Sequence, residues 1–191
     1  MDLQELIFTV QDELHRASEE HSCIMAAAVM LDVLRAKGIE SAYALTVKPR
    51  VLNPKFAERL NQEPFPQTTE QSAQWEADGC YMVAIGHGEG SPNEWPAHLV
   101  VVIPNALKGR DAVCDLTITQ ASVPRWNIQL APILVGVRES FLDGSEGFAL
   151  TINGCRVIYR AFPEDDSFKR TPIWTKRLKR EAIAKRVLRR L

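Results

Sequence analysis

The run Leu99-Val100-Val101-Val102-Ile103 is the feature that most narrows the fold of this chain. It is made almost entirely of β-branched residues and lies between two prolines, so it predicts a strand that is buried on both faces. A short segment rich in turn residues leads to a second predicted strand at residues 112–117. This spacing favours antiparallel neighbours and would bring Asp115 close to His98, the first polar side chain of the earlier strand.

A cysteine opens the most apolar helical segment of the sequence. Cys23 follows His21 and Ser22 and begins a stretch of good helix formers that ends at Gly38, which predicts a buried helix with Cys23 in its first turn. A serine hydroxyl or the nearby Glu20 can cap the exposed N–H groups there. Those groups and the positive end of the helix dipole stabilise a thiolate, the reactive form of cysteine.

The remaining patterns predict an α+β fold, in which N-terminal helices pack on an antiparallel β-sheet and a basic helix lies at the C-terminus. The predicted elements are a helix at 3–18, a strand at 41–47 ending before Pro49, a short helix at 53–60, a surface loop at 61–78, a strand at 80–85, a glycine-rich hairpin turn at 86–94, a strand at 132–137, strands at 148–152 and 156–162 around Asn153-Gly154, and a helix at 173–191.

Composition is typical of a globular protein. The 191 residues are 46% hydrophobic and 25% charged. No apolar run reaches the roughly 18 residues that span a bilayer, and the N-terminus lacks the pattern of a secretory signal, so we expect a cytoplasmic protein. The four cysteines show no Cys-x-x-Cys pair, which argues against a zinc ribbon or a disulfide framework and predicts free thiols.

The C-terminal segment, residues 169–191, carries ten basic residues and one acidic residue, although the whole chain has a net charge of −1. One interpretation is an amphipathic helix docked on an acidic body, and another is a partner-binding helix. A third is contact with nucleic acid or another polyanion. The candidate residues for that contact are Lys176, Arg177, Lys179, Arg180, Lys185, Arg186, Arg189 and Arg190.

Cys23, His98 and Asp115 fit the requirements of nucleophilic cysteine catalysis. The cysteine needs a base to take its proton, and the base needs a third group that fixes its tautomer. Such chemistry requires no metal and no bound cofactor. The alternative for each residue is structural, because a free cysteine is often a core residue, a histidine at a strand end is often part of the packing, and an aspartate often caps a turn.

The order of these residues resembles the papain-like superfamily, and within it the transglutaminase-like and arylamine N-acetyltransferase branch. Three stretches between about residues 20 and 120 carry the resemblance: His21-Ser22-Cys23, Ala97-His98-Leu99-Val100-Val101, and Cys114 to Gln120, which contains an Asp-x-Thr-x-x-Gln pattern. The resemblance implies a papain-like domain at residues 1–168, followed by the basic helix at 169–191.

The resemblance also implies thiol chemistry at the carbonyl of an amide or a thioester, in a protein or small-molecule substrate. Cys23 would be the nucleophile, His98 the general acid and base, and Asp115 the orienting carboxylate. Papain-type enzymes have a glutamine six residues before the cysteine as an oxyanion donor, whereas this chain has Ala17. The backbone N–H of Cys23 and a further donor would replace it, and the candidates are Gln120, Trp95 and Gln11.

Two functions from different classes follow. One is a cysteine-dependent hydrolase or acyl or amide transferase, such as a peptidase, a deamidase or a transglutaminase-like enzyme. The alternative is a non-catalytic interaction protein of the same fold that binds nucleic acid or an acidic partner through its basic helix. Steep weakening of nucleic-acid binding with salt would favour the second, since the enzyme hypothesis does not require such binding.

Overall fold

The computed structural model describes residues 2–19, 22–86, 95–175 and 177–191. Within these ranges the chain forms seven α-helices and seven β-strands. The helices are α1 (Leu3–Arg16), α2 (Cys23–Ala36), α3 (Pro54–Arg59), α4 (Thr69–Ala77), α5 (Glu139–Leu142), α6 (Pro172–Thr175) and α7 (Arg177–Arg190). The strands are β1 (Tyr43–Leu52), β2 (Met82–Ala84), β3 (His98–Leu107), β4 (Arg110–Asp115), β5 (Ile133–Val137), β6 (Phe148–Ile152) and β7 (Cys155–Ala161).

The strands of the described ranges form one antiparallel sheet in the order β5-β4-β3-β1-β7-β6, and β2 pairs with the distal part of β1. Strand β3 is therefore interior. Val101 of β3 lies opposite Cys114 of β4, so the end of β4 that carries Asp115 lies beside the beginning of β3. The sequence prediction of an antiparallel β3–β4 pair is confirmed.

Strand β3 has a hydrophobic cluster on each face, as its β-branched run predicts. Leu99, Val101 and Ile103 share one cluster with α1, α2 and α7, and Val100 and Val102 belong to a second cluster on the opposite face. All five side chains are buried. Helix α2 lies directly on β3 and is covered by α1 and α7.

The second cluster draws residues from both ends of the sheet. Ile133 of β5 and Tyr159 of β7 belong to it, although four strand-to-strand steps separate the two strands. Phe148 stacks on Tyr159 with 5.0 Å between ring centroids. A flat sheet would hold β5 and β7 far apart, so the sheet must curl around this cluster. This curl brings β7 towards β4.

The turn between β6 and β7 is the two-residue turn that the Asn153-Gly154 pair predicts. Both residues have positive φ, at 50° and 78°, as expected for a type I′ hairpin. The hairpin joins β6 and β7 in register from Ile152–Cys155 onwards.

The predicted surface loop at 61–78 is wrong over its second half, which forms α4. Thr68 and Gln71 make a reciprocal capping box at its N-terminus. Trp75 anchors the helix because it is buried against Phe56, with 4.9 Å between ring centroids. A helix held by a single large apolar side chain shows almost no hydrophobic periodicity, which explains why periodicity did not indicate it.

The predicted end of β1 also needs correction. Strand β1 does not end before Pro49 but continues to Leu52. On one side, β1 pairs with β3 before Pro49 and with β2 after it, so Pro49 lies between the two pairings. A proline is tolerated there because the ladder on that side is already interrupted. The described residues of the predicted C-terminal helix form α6 and α7, on either side of residue 176, which lies outside the described ranges. Helix α7 places Ile183 and Val187 in the same core cluster as α1 and α2.

Candidate functional site

Cys23 is the first residue of α2. Ser22 is the N-cap residue, and its hydroxyl accepts a hydrogen bond from the Met25 backbone N–H at 3.2 Å. Glu20, the other possible capping residue, and His21 lie outside the described residues. Cys23 is partly exposed, whereas Cys80, Cys114 and Cys155 are buried. The described part of the chain therefore offers one accessible thiol, placed where a helix N-terminus favours the thiolate.

His98 and Asp115 are in direct contact. Nε2 of His98 is 2.9 Å from both carboxylate oxygens of Asp115, and neither side chain has any exposed surface. The contact follows from the β3–β4 pairing, since His98 begins one strand and Asp115 ends the other. The carboxylate fixes the hydrogen of the imidazole on Nε2 and leaves Nδ1 as the nitrogen that can exchange a proton.

Gln120 lies on the opposite side of the His98 ring from Asp115, since its Nε2 is 3.0 Å from Nδ1 of His98. Cys23 lies close enough to the same imidazole to contribute to its pKa. Burial lowers the pKa of His98, but the charge and hydrogen bond of Asp115, together with smaller contributions from Cys23, outweigh burial and raise this pKa to about 10. The imidazole is therefore basic enough to take the thiol proton.

Asp115 has two further donors that the sequence analysis did not identify. The hydroxyl of Tyr159 donates to Oδ2 at 2.7 Å, and the backbone N–H of Thr117 donates to Oδ1 at 3.1 Å. Burial, followed by the charge and hydrogen bond of Asp115, raises the pKa of Tyr159 well above its usual range, so the phenol stays protonated. No local pattern marks Tyr159, because its approach to Asp115 depends on strand order.

The three candidate oxyanion donors lie in different surroundings. Gln120 contacts the imidazole directly. The indole N–H of Trp95 instead donates to the Ser167 hydroxyl at 2.8 Å, and the Gln11 amide donates to the Leu116 carbonyl at 2.5 Å. The structure thus brings Cys23, His98, Asp115 and Gln120 together and engages Trp95 and Gln11 elsewhere.

The segment that enters β3 is tightly packed beside the site. A Cβ atom on Gly86 would lie 2.6 Å from the Cα of Ala97, the residue before His98. The predicted glycine-rich hairpin turn begins here, and its residues 87–94 lie outside the described ranges. The hairpin prediction is wrong for the described strands beside it, because β2 and β3 both pair with β1 and not with each other. Among the residues that are described, no group of three or more His, Cys, Asp and Glu side chains could hold a metal ion.

The basic helix α7 is docked on acidic residues of the same chain. The Nε atom of Arg180 is 2.9 Å from Asp32, and Lys179 pairs with Glu19. Arg186 and Arg190 pair with acidic residues of α1. The described residues contain no such partner for Arg177, Lys185 and Arg189, and Lys176 lies outside them. Docking on the acidic body, one of the three interpretations of this segment, is therefore seen in the structure.

Comparisons with known proteins do not assign the chain to a family. No family model matches it, and no curated protein or solved structure gives a match. Within the described ranges, no helix has both the length and the apolar character needed to cross a membrane.

Proposed function

We propose that this protein is a cysteine-dependent hydrolase or acyl or amide transferase that forms a covalent acyl-enzyme on Cys23. The observation that carries the proposal is the buried pairing of His98 with Asp115 close to Cys23. Nε2 of His98 lies 2.9 Å from both oxygens of Asp115, and Cys23, at the beginning of α2, lies close enough to the same imidazole to contribute to its pKa. Nucleophile, base and orienting group thus come from three separate elements.

In the proposed reaction, the Cys23 thiolate attacks the carbonyl carbon of an amide or a thioester, and the π electrons move to the oxygen. As the oxyanion returns its electrons, the bond to the leaving nitrogen or sulfur breaks and His98 donates its proton to the leaving group. Water or an amine then attacks the resulting thioester. His98 accepts a proton from that nucleophile, and the Cys23 thiolate is released.

The oxyanion would be stabilised by donors next to Cys23. The first N–H groups of a helix lack intrahelical acceptors, so the backbone N–H of Cys23 can serve as one donor. Gln120 supports the proposal as the second, because its amide nitrogen is 3.0 Å from the same imidazole that contacts Cys23. A papain-type glutamine before the cysteine is then not needed.

The test is the rate at which iodoacetamide alkylates each cysteine across pH, measured by peptide mass spectrometry. We expect Cys23 to react faster than the other three cysteines at neutral pH and to slow in His98→Ala. The three buried cysteines serve as internal controls. Equal rates at Cys23 with and without His98 would contradict the proposal. Trapping of an acyl-Cys23 adduct with thioester or amide substrates, with and without an added amine, then separates hydrolysis from transfer.

The alternative function, binding of nucleic acid or an acidic partner through the basic helix, would depend on the cations that α7 leaves unpaired. Arg177, Lys185 and Arg189 are exposed and have no acidic partner among the described residues. Three phosphate contacts would give a slope of about −3 in a plot of log binding constant against log salt on duplex DNA. Such binding would favour the interaction-protein function if it persists in Cys23→Ala and disappears when Arg177, Lys185 and Arg189 are all replaced by neutral residues.

A further inference from the structure

Tyr159 supplies the proposed site with a group that the Cys23, His98 and Asp115 arrangement does not include. Its hydroxyl donates to Oδ2 of Asp115 at 2.7 Å, and both side chains are fully buried. We propose that Tyr159 is a positioning residue that keeps the Asp115 carboxylate charged and correctly oriented beneath His98. This inference rests on the proposed function, because it assigns Tyr159 a role in activating Cys23.

The strand order explains why a tyrosine is needed here. Tyr159 lies on β7, which is three strand spacings from β4 in the order β4-β3-β1-β7. Three spacings correspond to about 14 Å along a flat sheet. Even with the curl of this sheet, a long side chain with a terminal donor is required to reach Asp115. The ring itself is held by stacking on Phe148.

Asp115 depends on its donors because no part of it contacts solvent. A buried carboxylate stays ionised only when hydrogen bonds and opposite charge replace its hydration. Its donors are His98 from β3, the Thr117 N–H from its own segment and Tyr159 from β7. Removal of the phenolic donor leaves a carboxylate lone pair unsatisfied, so the site should take up its next proton at a higher pH.

The titratable groups around this carboxylate are few. His98 and Tyr159 hydrogen-bond to Asp115, and Cys114 is its neighbour on β4. Burial, and then the Asp115 charge, raise the pKa of Cys114 to about 12, so this thiol does not ionise in the working range. Cys23 interacts with His98. Protonation of Asp115 would remove the charge that favours imidazolium and so would weaken the Cys23 thiolate.

The experiment compares the pH dependence of Cys23 alkylation by iodoacetamide in wild type, Tyr159→Phe and Tyr81→Phe. Tyr81 is the matched control because its ring stacks on Trp126, 4.9 Å away, and makes no contact with Asp115. The acid limb is the part of the profile in which the alkylation rate rises with pH. In Tyr159→Phe we expect this limb to shift to higher pH by about one unit, which makes alkylation on that limb about tenfold slower. The plateau should keep its wild-type rate, and Tyr81→Phe should follow the wild-type profile.

A folded Tyr159→Phe variant with an unmoved acid limb would overturn the inference and leave Tyr159 as a packing residue. Incorporation of 3-fluorotyrosine into a Tyr43→Phe, Tyr81→Phe background gives a second test that keeps the ring. Its more acidic phenol is a stronger donor, so the acid limb should move to lower pH, and an unmoved limb would again overturn the inference. His98→Ala distinguishes the two proposals: a wild-type Cys23 rate there contradicts the proposed function, whereas a slow rate with an unmoved Tyr159→Phe limb contradicts only the role of Tyr159.

Discussion

Arg186 and Glu13 join the last helix of the chain to the first. Nε of Arg186 lies 2.7 Å from Oε2 of Glu13, and the Glu13 side chain is only 2% exposed. Arg190 and Arg16 contact the other oxygen of the same carboxylate, at 2.8 and 2.9 Å. A buried carboxylate between three guanidinium groups is thus the central electrostatic link of the helical layer.

This link predicts an acid-sensitive contribution to stability. The hydrogen bond from Arg186 lowers the pKa of Glu13 against the opposing effect of burial, and Arg190 and Arg16 lower it further. A lowered carboxyl pKa stabilises the fold above the ordinary value of 4.5, and this stabilisation is lost as the pH falls through the folded pKa. Glu13→Gln should therefore unfold about 1–2 kcal/mol more easily at neutral pH, measured by urea denaturation.

The matched control for Glu13→Gln is Glu58→Gln on α3, which makes none of these contacts. Its unfolding free energy should stay within about 0.5 kcal/mol of wild type. The difference between wild type and Glu13→Gln should be smaller at about pH 3 than at neutral pH, because the stabilisation is lost as Glu13 takes up its proton. A difference that is the same at both pH values would mean that packing, and not the carboxylate charge, is responsible.

The His98–Asp115 contact predicts an unusual histidine titration. Because Asp115 raises the pKa of His98 to about 10, the ring should stay protonated through neutral pH in NMR titrations of ¹⁵N-labelled protein. In Asp115→Asn, burial acts without the opposing charge, and the pKa should fall below the ordinary 6.5. Asp166→Asn, an exposed aspartate on the approach to α6, is the control and should leave the His98 titration unchanged.

The His98–Asp115 contact also determines how the unfolding free energy changes with pH. A histidine whose folded pKa is raised stabilises the fold fully below its ordinary pKa of 6.5, and this contribution is lost as the pH rises through about 10. The unfolding free energies of wild type and Asp115→Asn should therefore converge between these two values. A constant difference across that range would show that His98 is neutral in the folded protein.

The parts of the site that the sequence predicts are those with local signals. Ser22 and Gly38 mark the two ends of α2, and the β-branched run marks β3. The short connection between β3 and β4 then predicts that Asp115 lies near His98. Each of these steps uses residues that are close together in the sequence.

The parts that the sequence does not predict depend on long-range order. Tyr159 reaches Asp115 only because β1 separates β3 from β7 and the sheet curls, and no periodicity within β7 indicates either fact. Docking of α7 through Arg186 and Glu13 joins residues from opposite ends of the chain in the same way. The missed helix α4 is different, because the Thr68-x-x-Gln71 capping box is a local signal that was present in the sequence.

Packing of α7 gives a prediction with a control on the same helix. Ile183 is 1% exposed in the core shared with α1 and α2, whereas Leu178 is 86% exposed. Ile183→Ala should lower the unfolding free energy by about 2–4 kcal/mol, since it removes buried methyl groups and leaves a cavity. Leu178→Ala should change it by less than about 0.5 kcal/mol. Comparable losses in the two variants would show that α7 is not docked in solution as described.

Alanine substitutions at two glycines distinguish the effect of backbone strain from the effect of displacing the site. Gly86 and Gly38 both have positive φ, at +75° and +84°, so alanine at either position should cost about 1 kcal/mol. Only at Gly86 would the new Cβ collide with backbone, 2.6 Å from the Cα of Ala97, while nothing lies within 4 Å at Gly38.

Because Ala97 precedes His98, relief of that collision must move the beginning of β3. Gly86→Ala should therefore slow iodoacetamide alkylation of Cys23 severalfold at neutral pH, whereas Gly38→Ala should leave it unchanged although both variants lose stability. Equal alkylation rates in the two variants would mean that the contact between Gly86 and Ala97 does not hold His98 in place.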